Sequence, residues 1–441
     1  MAAQLARLGA ANVTITAFPD HPGQVSKIQA KGEKLQVTGK HYTGTYNVTA
    51  TIDVSAAIRT ADMIILSAPG PAFPAYVKAL KEHGDVHKNQ DLVVIAGSGF
   101  CLNYWKEFRD APFRRIIETN ESPFATKFEG NGVIDINLVK RQLKVSVFPV
   151  GPTAVPADIQ GLFNGIMGNV TLQHVAPIQM ATHSNWLVHL VPTLYNLGRL
   201  EDPKGARTSV EEEAYLGFLI RFGTILDLSP QEVTTFEAFV RKLVKGAYEE
   251  KEKVEYLRSL ATIMARKDSF DAHTAYGVFL GHIAEKYFHY AQGITSVVSW
   301  VMEDIDLERQ ALLKSLGLPA ASLLDDNNSD YNTHYLTNRE YALALGRKYA
   351  KPTGAFTRYI TGEIPALQTL VAMQKVQGVS AKQSISHLDL AIRYVRITRE
   401  RLIKNMGEQE FVNQYGDISL EFSMPTYTHE DFIACGAKIS T

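Results

Sequence analysis

The sequence predicts an α/β protein: a doubly wound, Rossmann-like domain in the N-terminal part, followed by an all-α domain. Two continuous apolar runs, MIILSAP from Met63 and DLVVIA at Asp91–Ala96, are typical of strands buried on both faces. A helical pattern at residues 71–83 separates them, and this alternation favours a parallel sheet. After residue 177 the apolar spacing is helical almost throughout.

The elements before Met63 follow from shorter patterns. Residues 2–8 predict an Ala/Leu helix that ends at Gly9, and Val13–Phe18 alternates as a strand does. Lys34–Val37 and Tyr46–Ile52 predict a hairpin or two short strands.

Later segments complete the first domain. We expect a helix around Tyr104–Phe108 and short strands at Arg115–Thr119 and Leu143–Phe148. The polar run DDNNSD at residues 325–330 predicts a loop. The resulting division is a sheet domain at residues 1–155, a Gly- and Pro-rich crossover at 156–177, and a helical domain at 178–441 that carries a charged helical insert at about 201–283.

The composition excludes several classes of protein. Lys and Arg total 45 against 46 Asp and Glu in 441 residues, so the net charge of −1 does not favour nucleic acid or an anionic membrane as a partner. Two cysteines, Cys101 and Cys435, cannot build a disulfide framework or a cysteine metal site and indicate a reducing compartment. No apolar run reaches the roughly 20 residues that span a bilayer. We therefore expect a cytoplasmic monomer or homodimer without a bound metal.

The segment HSNWLVHLVPTLYNLG, His183–Gly198, is the most informative for chemistry. On a helix, Asn185, His189 and Thr193 are spaced by four residues and share one face. A histidine in such an apolar wall can titrate near neutral pH, which suits proton transfer to and from a carbonyl. The alternative interpretation is a hydrogen-bonded core histidine.

A second segment, RYITGEIP at Arg358–Pro365, carries two candidate groups. A guanidinium such as that of Arg358 can hold a carboxylate through two hydrogen bonds, and Glu363 could accept a hydrogen bond from a histidine ring. The alternatives are an interdomain ion pair for Arg358 and a helix cap for Glu363. Spacing alone does not bring either residue to His189.

Both segments resemble motifs of the opine dehydrogenase family. The residues from Asn185 to Gly198 are similar to its pattern Asn-x-x-x-His-x-x-Pro-Thr-Leu-x-Asn-x-Gly, and RYITGEIP is similar to its Arg-Tyr-x-Thr-Glu-Asp-x-Pro. Residues 287–318 resemble the family helix that follows its substrate loop, and the segments TATIDVSAAIRTADMIILSAPGPAFPAYV and ETNESPFATK resemble its nucleotide domain. Three separated motifs in the right order identify a family far better than one does.

The resemblance implies a reaction and roles for named residues. An amino acid condenses with a 2-keto acid to an imine, which NADH or NADPH reduces. His189 and Glu363 would be the catalytic acid/base pair, Arg358 would grip the keto acid, and Asn185 and Thr193 would complete the substrate site. The family has Asp at the Glu363 position and Glu where this chain has Gly362.

The resemblance also implies where the cofactor binds. The expected contacts are at the ends of successive strands and in the turns after them, namely Asp20, Ala68, Pro69, Phe73 and Gly97. The family's first strand and Gly-x-Gly-x-x-Gly loop do not occur before Met1 in this sequence, and we expect the chain to bind nicotinamide cofactor weakly without them.

Two other functions compete with this interpretation. One is another two-domain NAD(P)-dependent reductase of the 6-phosphogluconate and glycerol-3-phosphate dehydrogenase superfamily, whose hydroxy-acid or sugar-phosphate substrates do not call for the Arg358 motif. The other is a catalytically silent isoform that uses its helical domain as an interaction module. The sequence names neither the amino acid nor the keto acid.

Overall fold

The structure of the chain is a computed structural model. It describes residues 1–9, 12–18, 23, 25–39, 41–68, 70–83, 87–110, 112–130, 133–151, 153–197, 228–244, 289–331, 333–344, 359–415 and 423–439.

The N-terminal part combines short helices with eleven described strands. Its helices are α1 (Ala2–Leu8), α2 (Val25–Ala30), α3 (Val54–Thr60), α4 (Phe73–Lys81), α5 (Phe100–Tyr104) and α6 (Ala157–Met167). Its strands are β1 (Thr14–Thr16), β2 (Lys34–Gly39), β3 (Gly44–Asn47), β4 (Thr49–Thr51), β5 (Met63–Leu66), β6 (Asp91–Val94), β7 (Arg115–Thr119), β8 (Phe124–Gly130), β9 (Val133–Val139), β10 (Gln142–Phe148) and β11 (Thr171–His174).

The central sheet has five strands in the order β11-β10-β7-β6-β5. Strands β5, β6 and β7 are parallel, as predicted, and Leu92, Val93 and Val94 have no exposed surface. Strand β10 of the same sheet runs antiparallel to β7. The chain between them contains the strands β8 and β9 and no helix, so it returns without the helical crossover that a parallel neighbour needs. Strand β11, in the predicted crossover segment, joins this sheet beside β10.

A second sheet has the order β3-β2-β9-β8. The predicted hairpin is present as β2 and β3, but the segment predicted as one strand at Tyr46–Ile52 divides in two. Its second half, β4, pairs in parallel with β1. The parallel arrangement of β5, β6 and β7 places their carboxyl ends at one edge of the central sheet, where a ligand of such a fold binds.

The C-terminal part is helical in its described residues. Its helices are α7 (Pro177–Met180), α8 (Leu187–Tyr195), α9 (Pro230–Val244), α10 (His289–Gly293), α11 (Ser296–Ser315), α12 (Leu323–Tyr331), α13 (Asn338–Ala344), α14 (Ile364–Gln377), α15 (Lys382–Met406), α16 (Glu408–Tyr415) and α17 (His429–Ala434). Apart from α9, the insert predicted at about 201–283 lies outside the described residues.

The loop predicted at residues 325–330 was wrong, because α12 includes it. The helix begins with a reciprocal cap: Ser322 Oγ accepts from the Asp325 backbone N–H at 3.1 Å, and the Asp325 carboxylate accepts from the Ser322 N–H at 3.2 Å. Leu323 and Asn327 are buried on the inner side of the helix. Of the polar residues that suggest a loop, Asp325 therefore forms the cap, whereas Asp326 and Asn327 make internal contacts or are buried.

Buried polar contacts fix the helical part around α8 and α11. Arg309 pairs with Asp306 at 2.7 Å and donates to the backbone oxygens of Thr182 and Ala321, at 3.2 and 2.6 Å. Leu190, with no exposed surface, belongs to the apolar cluster that unites α8, α11 and α14. The chain just before α8 is thus tied to α11 through the backbone oxygen of Thr182.

Candidate active site

His189 lies on α8 and is only 5% exposed. Its Nδ1 atom is 2.7 Å from Oε1 of Glu363, a residue 174 positions further along the chain. An ionised carboxylate only accepts hydrogen bonds, so this contact assigns the ring proton of neutral His189 to Nδ1. Nε2 is then the nitrogen that can accept a proton.

Glu363 occupies the position just before α14, where an acidic side chain often caps the helix. Its side chain makes no capping hydrogen bond and is directed to His189 instead. The side chains of the pair are 7% and 16% exposed, so water screens their interaction weakly. Of the two sequence interpretations of Glu363, the geometry favours the partner of a histidine over the helix cap.

Three aromatic residues surround the imidazole. The hydroxyl of Tyr290 lies 3.2 Å from Nε2 of His189, and the ring of Tyr359 stacks on the imidazole with 4.8 Å between centroids. His289 bonds through Nε2 to the backbone oxygen of Val188 at 2.8 Å. Burial chiefly lowers the pKa of His289 to about 3, so it is neutral near neutral pH. Tyr359 lies in a π-helical turn that includes residues 359–361, a geometry often found at functional sites.

Neither Tyr290 nor Tyr359 was predicted from the sequence as a site residue. Tyr290 is 6% exposed and packs in the core, and its hydroxyl faces the histidine as well. A tyrosine has an apolar ring and a polar tip, so burial and hydrogen bonding coexist. The available signal was the position of both tyrosines inside segments that carry the family resemblance.

Thr193 shares the predicted helix face with His189, but Asn185 does not. Asn185 is in a turn before α8, so the expected helical spacing between it and His189 does not apply. Thr193 is on the helix with no exposed surface, and its hydroxyl donates to the backbone oxygen of His189 at 2.6 Å. A substrate contact by either residue stays a prediction. His183, expected elsewhere on the same helix, also precedes it, and its Nε2 is 3.0 Å from Ser98 Oγ.

The predicted cofactor contacts are partly described. Ala68 is half-buried just after β5, and Gly97 follows β6. Phe73 is 4% exposed and packs edge-to-face on Phe100, with 5.4 Å between ring centroids. Three further predicted site residues lie outside the described residues, namely Asp20, Pro69 and Arg358.

The turn that contains Gly97 is shaped by a buried carboxylate. Ala96, Ser98 and Gly99 have φ values of 54°, 51° and 91°, in the left-handed region. Glu118 accepts hydrogen bonds from the backbone N–H groups of Gly99 (2.6 Å), Phe100 (3.0 Å) and Cys101 (3.1 Å). Burial raises the pKa of Glu118 to about 7, although these bonds act in the opposite direction.

Gly97 has a packing role of its own in this turn. A Cβ atom at Gly97 would lie 2.7 Å from the side chain of Glu118. The glycine is therefore required by its internal neighbour, whether or not it also contacts a cofactor.

In the described part of the chain, no group of His, Cys, Asp and Glu side chains is arranged to hold a metal ion. Cys101 and Cys435 are both buried free thiols. Among the described helices, none is both long and apolar enough to cross a membrane.

Comparison with known proteins gives a consistent result. Residues 260–391 match the family model described as NAD/NADP octopine/nopaline dehydrogenase, alpha-helical domain. The chain is 26% identical over 370 residues to D-nopaline dehydrogenase of Agrobacterium tumefaciens (strain T37), a match that covers 82% of this chain and 74% of the relative. It is 25% identical over 370 residues to D-nopaline dehydrogenase of Agrobacterium vitis, with the same coverage.

Solved structures show the same fold at lower identity. Apo yersinopine dehydrogenase superposes with a TM-score of 0.58 at 10% identity, covering 98% of this chain and 93% of the other. Octopine dehydrogenase with NADH and L-arginine superposes with a TM-score of 0.57 at 14% identity, covering 100% and 96%. The matched helical domain and the nopaline dehydrogenase relatives support the resemblance to the opine dehydrogenase family that the sequence motifs indicate.

Proposed function

We propose that this protein is an NAD(P)H-dependent opine dehydrogenase-like oxidoreductase that condenses an amino acid with a 2-keto acid and reduces the resulting imine. The observation that carries the proposal is the hydrogen bond between His189 and Glu363, which links α8 to the residue before α14 across an apolar wall. Octopine dehydrogenase has been solved with NADH and L-arginine and with NADH and pyruvate, which supports this pair of substrate classes.

In this proposal His189 moves the proton. Its Nε2 takes a proton released as the amino nitrogen bonds to the keto carbon and gives it to the carbonyl oxygen, which becomes the hydroxyl of a carbinolamine. A second proton, carried in the same way from the nitrogen to that hydroxyl, lets it leave as water and forms the imine. Glu363 stabilises the imidazolium that forms between these steps and holds Nδ1 in the protonated state. Tyr290 donates its hydroxyl to Nε2 while the ring is neutral, and its oxygen accepts from Nε2–H once the ring is charged.

The cofactor, when bound, supplies the hydride. The carboxyl edge of β5, β6 and β7 suits an extended dinucleotide, because half-buried Ala68 and the turn with Gly97 follow two adjacent parallel strands there. We assign those two residues to the cofactor side, with Phe73 supporting the wall from within. NAD and NADP remain equal candidates, since yersinopine dehydrogenase has been solved with NADP+ and octopine dehydrogenase with NADH.

The assignment of substrate-binding residues in this proposal rests on the sequence motifs. Arg358 is assigned to the keto-acid carboxylate from the RYITGEIP motif, because a guanidinium matches the two oxygens of a carboxylate. Asn185 and Thr193 remain proposed substrate residues on the same basis. We also propose the domain division of the sequence analysis, with residues 1–155 as the cofactor domain and 178–441 as the substrate domain, joined by the crossover 156–177.

The test is an oxidation screen with NADH and NADPH in which amino acids are crossed with pyruvate, glyoxylate and 2-oxoglutarate. We expect oxidation only when both an amino acid and a keto acid are present, with a secondary amine as the product identified by mass spectrometry. Equal oxidation with a keto acid alone would indicate a hydroxy-acid dehydrogenase. Absence of oxidation with every pair would contradict the enzymatic proposal.

A further inference from the structure

A polar cavity of about 300 Å³ lies beside the candidate active site. Lys144, at the start of β10, and Gln173, on β11, line it from the sheet. Asn327 lines it from α12, and the turn with His183 and Asn185 lines it from the side of α8. Sheet, helix and turn thus enclose one space at the junction of the two parts of the chain.

Three of the lining residues carry a buried nitrogen without a hydrogen-bond partner among the described residues. They are His174 at Nε2, His183 at Nδ1 and Asn327 at Nδ2. A buried polar atom without a partner destabilises the folded state, so native proteins seldom leave such atoms together unless a ligand or water supplies the partner. These three nitrogen atoms could therefore form hydrogen bonds with a ligand or with water in the cavity.

The charges on the cavity wall, by contrast, are already matched. Lys144 pairs with Asp326 at 2.5 Å, and Arg309 pairs with Asp306 at 2.7 Å. Glu121 pairs with Lys140. A charged ligand group would have to displace one of these partners or enter without a counter-charge, and both are costly in a buried space.

The third carboxylate of the wall, Asp325, is an exposed capping residue that accepts from Ser322. The unpaired groups themselves are neutral near neutral pH. Burial lowers the pKa of His183 to about 4 and also lowers that of His174. Asn327 carries an amide. The cavity wall can consequently form hydrogen bonds through two neutral imidazoles and one amide N–H donor.

His183 connects the cavity with the acid/base pair. His183 and Asn185 line the cavity from the turn that leads directly into α8, the helix that carries His189. The ring of His183 is fixed by the contact between Nε2 and Ser98 Oγ at 3.0 Å. The side chain of a substrate that reacts at His189 can extend past this turn into the cavity.

We propose that the cavity receives the side chain of the amino-acid substrate and selects an uncharged, hydrogen-bonding group, such as the amide of glutamine or asparagine. An amide offers an oxygen to Asn327 and both an acceptor and donors to the two imidazoles. The identification of the ligand as a substrate rests on the proposed function. The polar character of the cavity does not depend on that function.

The experiment compares L-glutamine with L-methionine, which has a side chain of similar length without an amide, and with L-arginine. Binding is measured by titration calorimetry on the full chain in the presence of reduced cofactor, and turnover by kcat/KM with one fixed keto acid. We expect glutamine to exceed methionine by about tenfold or more in both measurements, because a site built to hydrogen-bond a polar group rejects an analogue that lacks it. Arginine should bind less well than glutamine.

Two variants and one control complete the test. Asn327→Leu should abolish the preference for glutamine, whereas Asn327→Asp should shift the preference towards arginine by adding an unpaired carboxylate. Asn89→Leu, at an exposed position outside the cavity, should leave the preference unchanged. The second Asn327 variant keeps the size of the side chain, so misfolding would not explain a change of ligand.

The outcomes separate this inference from the proposed function. Turnover without a preference for glutamine, as expected if the cavity holds only water, overturns the inference and leaves the function. Binding with the preference but no turnover overturns the function and leaves the inference. Equal binding of all three amino acids, or a preference for glutamine that survives in Asn327→Leu, rejects the cavity as the selective site.

Discussion

Replacing Glu363 by Gln tests the acid/base pair most directly. The carboxylate lies 2.7 Å from Nδ1 of His189, and its charge stabilises the imidazolium of the proposed reaction. At that distance the Coulomb energy of two unit charges is about 6 kcal/mol at an effective dielectric constant of about 20, and about 3 kcal/mol at about 40. Losing it corresponds to about two to four orders of magnitude in rate.

The assay is the pH profile of kcat for reduced-cofactor oxidation at saturating substrates. We expect Glu363→Gln to lose this activity with little change in cofactor affinity, and Glu363→Asp, which keeps the charge on a shorter side chain, to retain more of it than the amide does. Glu400→Gln, at an exposed position on α15, is the matched control. Activity of Glu363→Gln within about fivefold of the parent would refute the role of the pair, since losing the Coulomb energy of the pair should lower the rate far more.

Three other predictions concern neighbouring groups. His189→Ala should lower turnover by about two to four orders of magnitude while fluorescence titration shows nearly unchanged cofactor binding, and a loss of only a few-fold would contradict the assignment. Arg358→Lys should raise the keto-acid KM by about tenfold with less effect on the amino-acid KM, whereas equal effects would indicate a structural role. The pKa of His289, about 3 in the folded chain and thus below its ordinary value, means that its contribution to stability is complete above about pH 6.5 and is lost as the pH falls towards about 3. In denaturant unfolding, His289→Phe should therefore lose less stability on acidification, by up to about 5 kcal/mol, and exposed His41→Phe should behave like the parent; an unchanged acid dependence in His289→Phe would overturn this account.

The fold was predictable where strands are buried on both faces. The runs at β5 and β6 have no polar face, and such runs are read directly from composition. Strands β8 and β9 were missed because their pairing is distant: β9 lies beside β2, and Thr38 contacts Asp135 across 97 positions. Local patterns do not encode such a partner.

The candidate site was likewise predictable from the sequence only in part. The hydrogen bond between His189 and Glu363 spans 174 positions, so only the resemblance of two separate motifs indicated it. The start of α8 was misjudged because tertiary contacts hold the preceding turn out of the helix. His183 contacts Ser98, and Ser184 donates to Asp326 at 3.2 Å, and neither partner is visible from the local sequence.

The buried carboxylate of Glu118 bears on how this fold can treat an anionic ligand. Successive backbone N–H groups after a tight turn normally form a ready receptor for phosphate. Here the N–H groups of Gly99, Phe100 and Cys101 already donate to the buried carboxyl group of Glu118. These donors are therefore occupied from inside the protein, and a pyrophosphate at the sheet edge must find its hydrogen-bond donors elsewhere. For protein design, this turn is a rigid spacer that carries Ser98 to His183, and grafting a phosphate site onto it would first require the removal of Glu118.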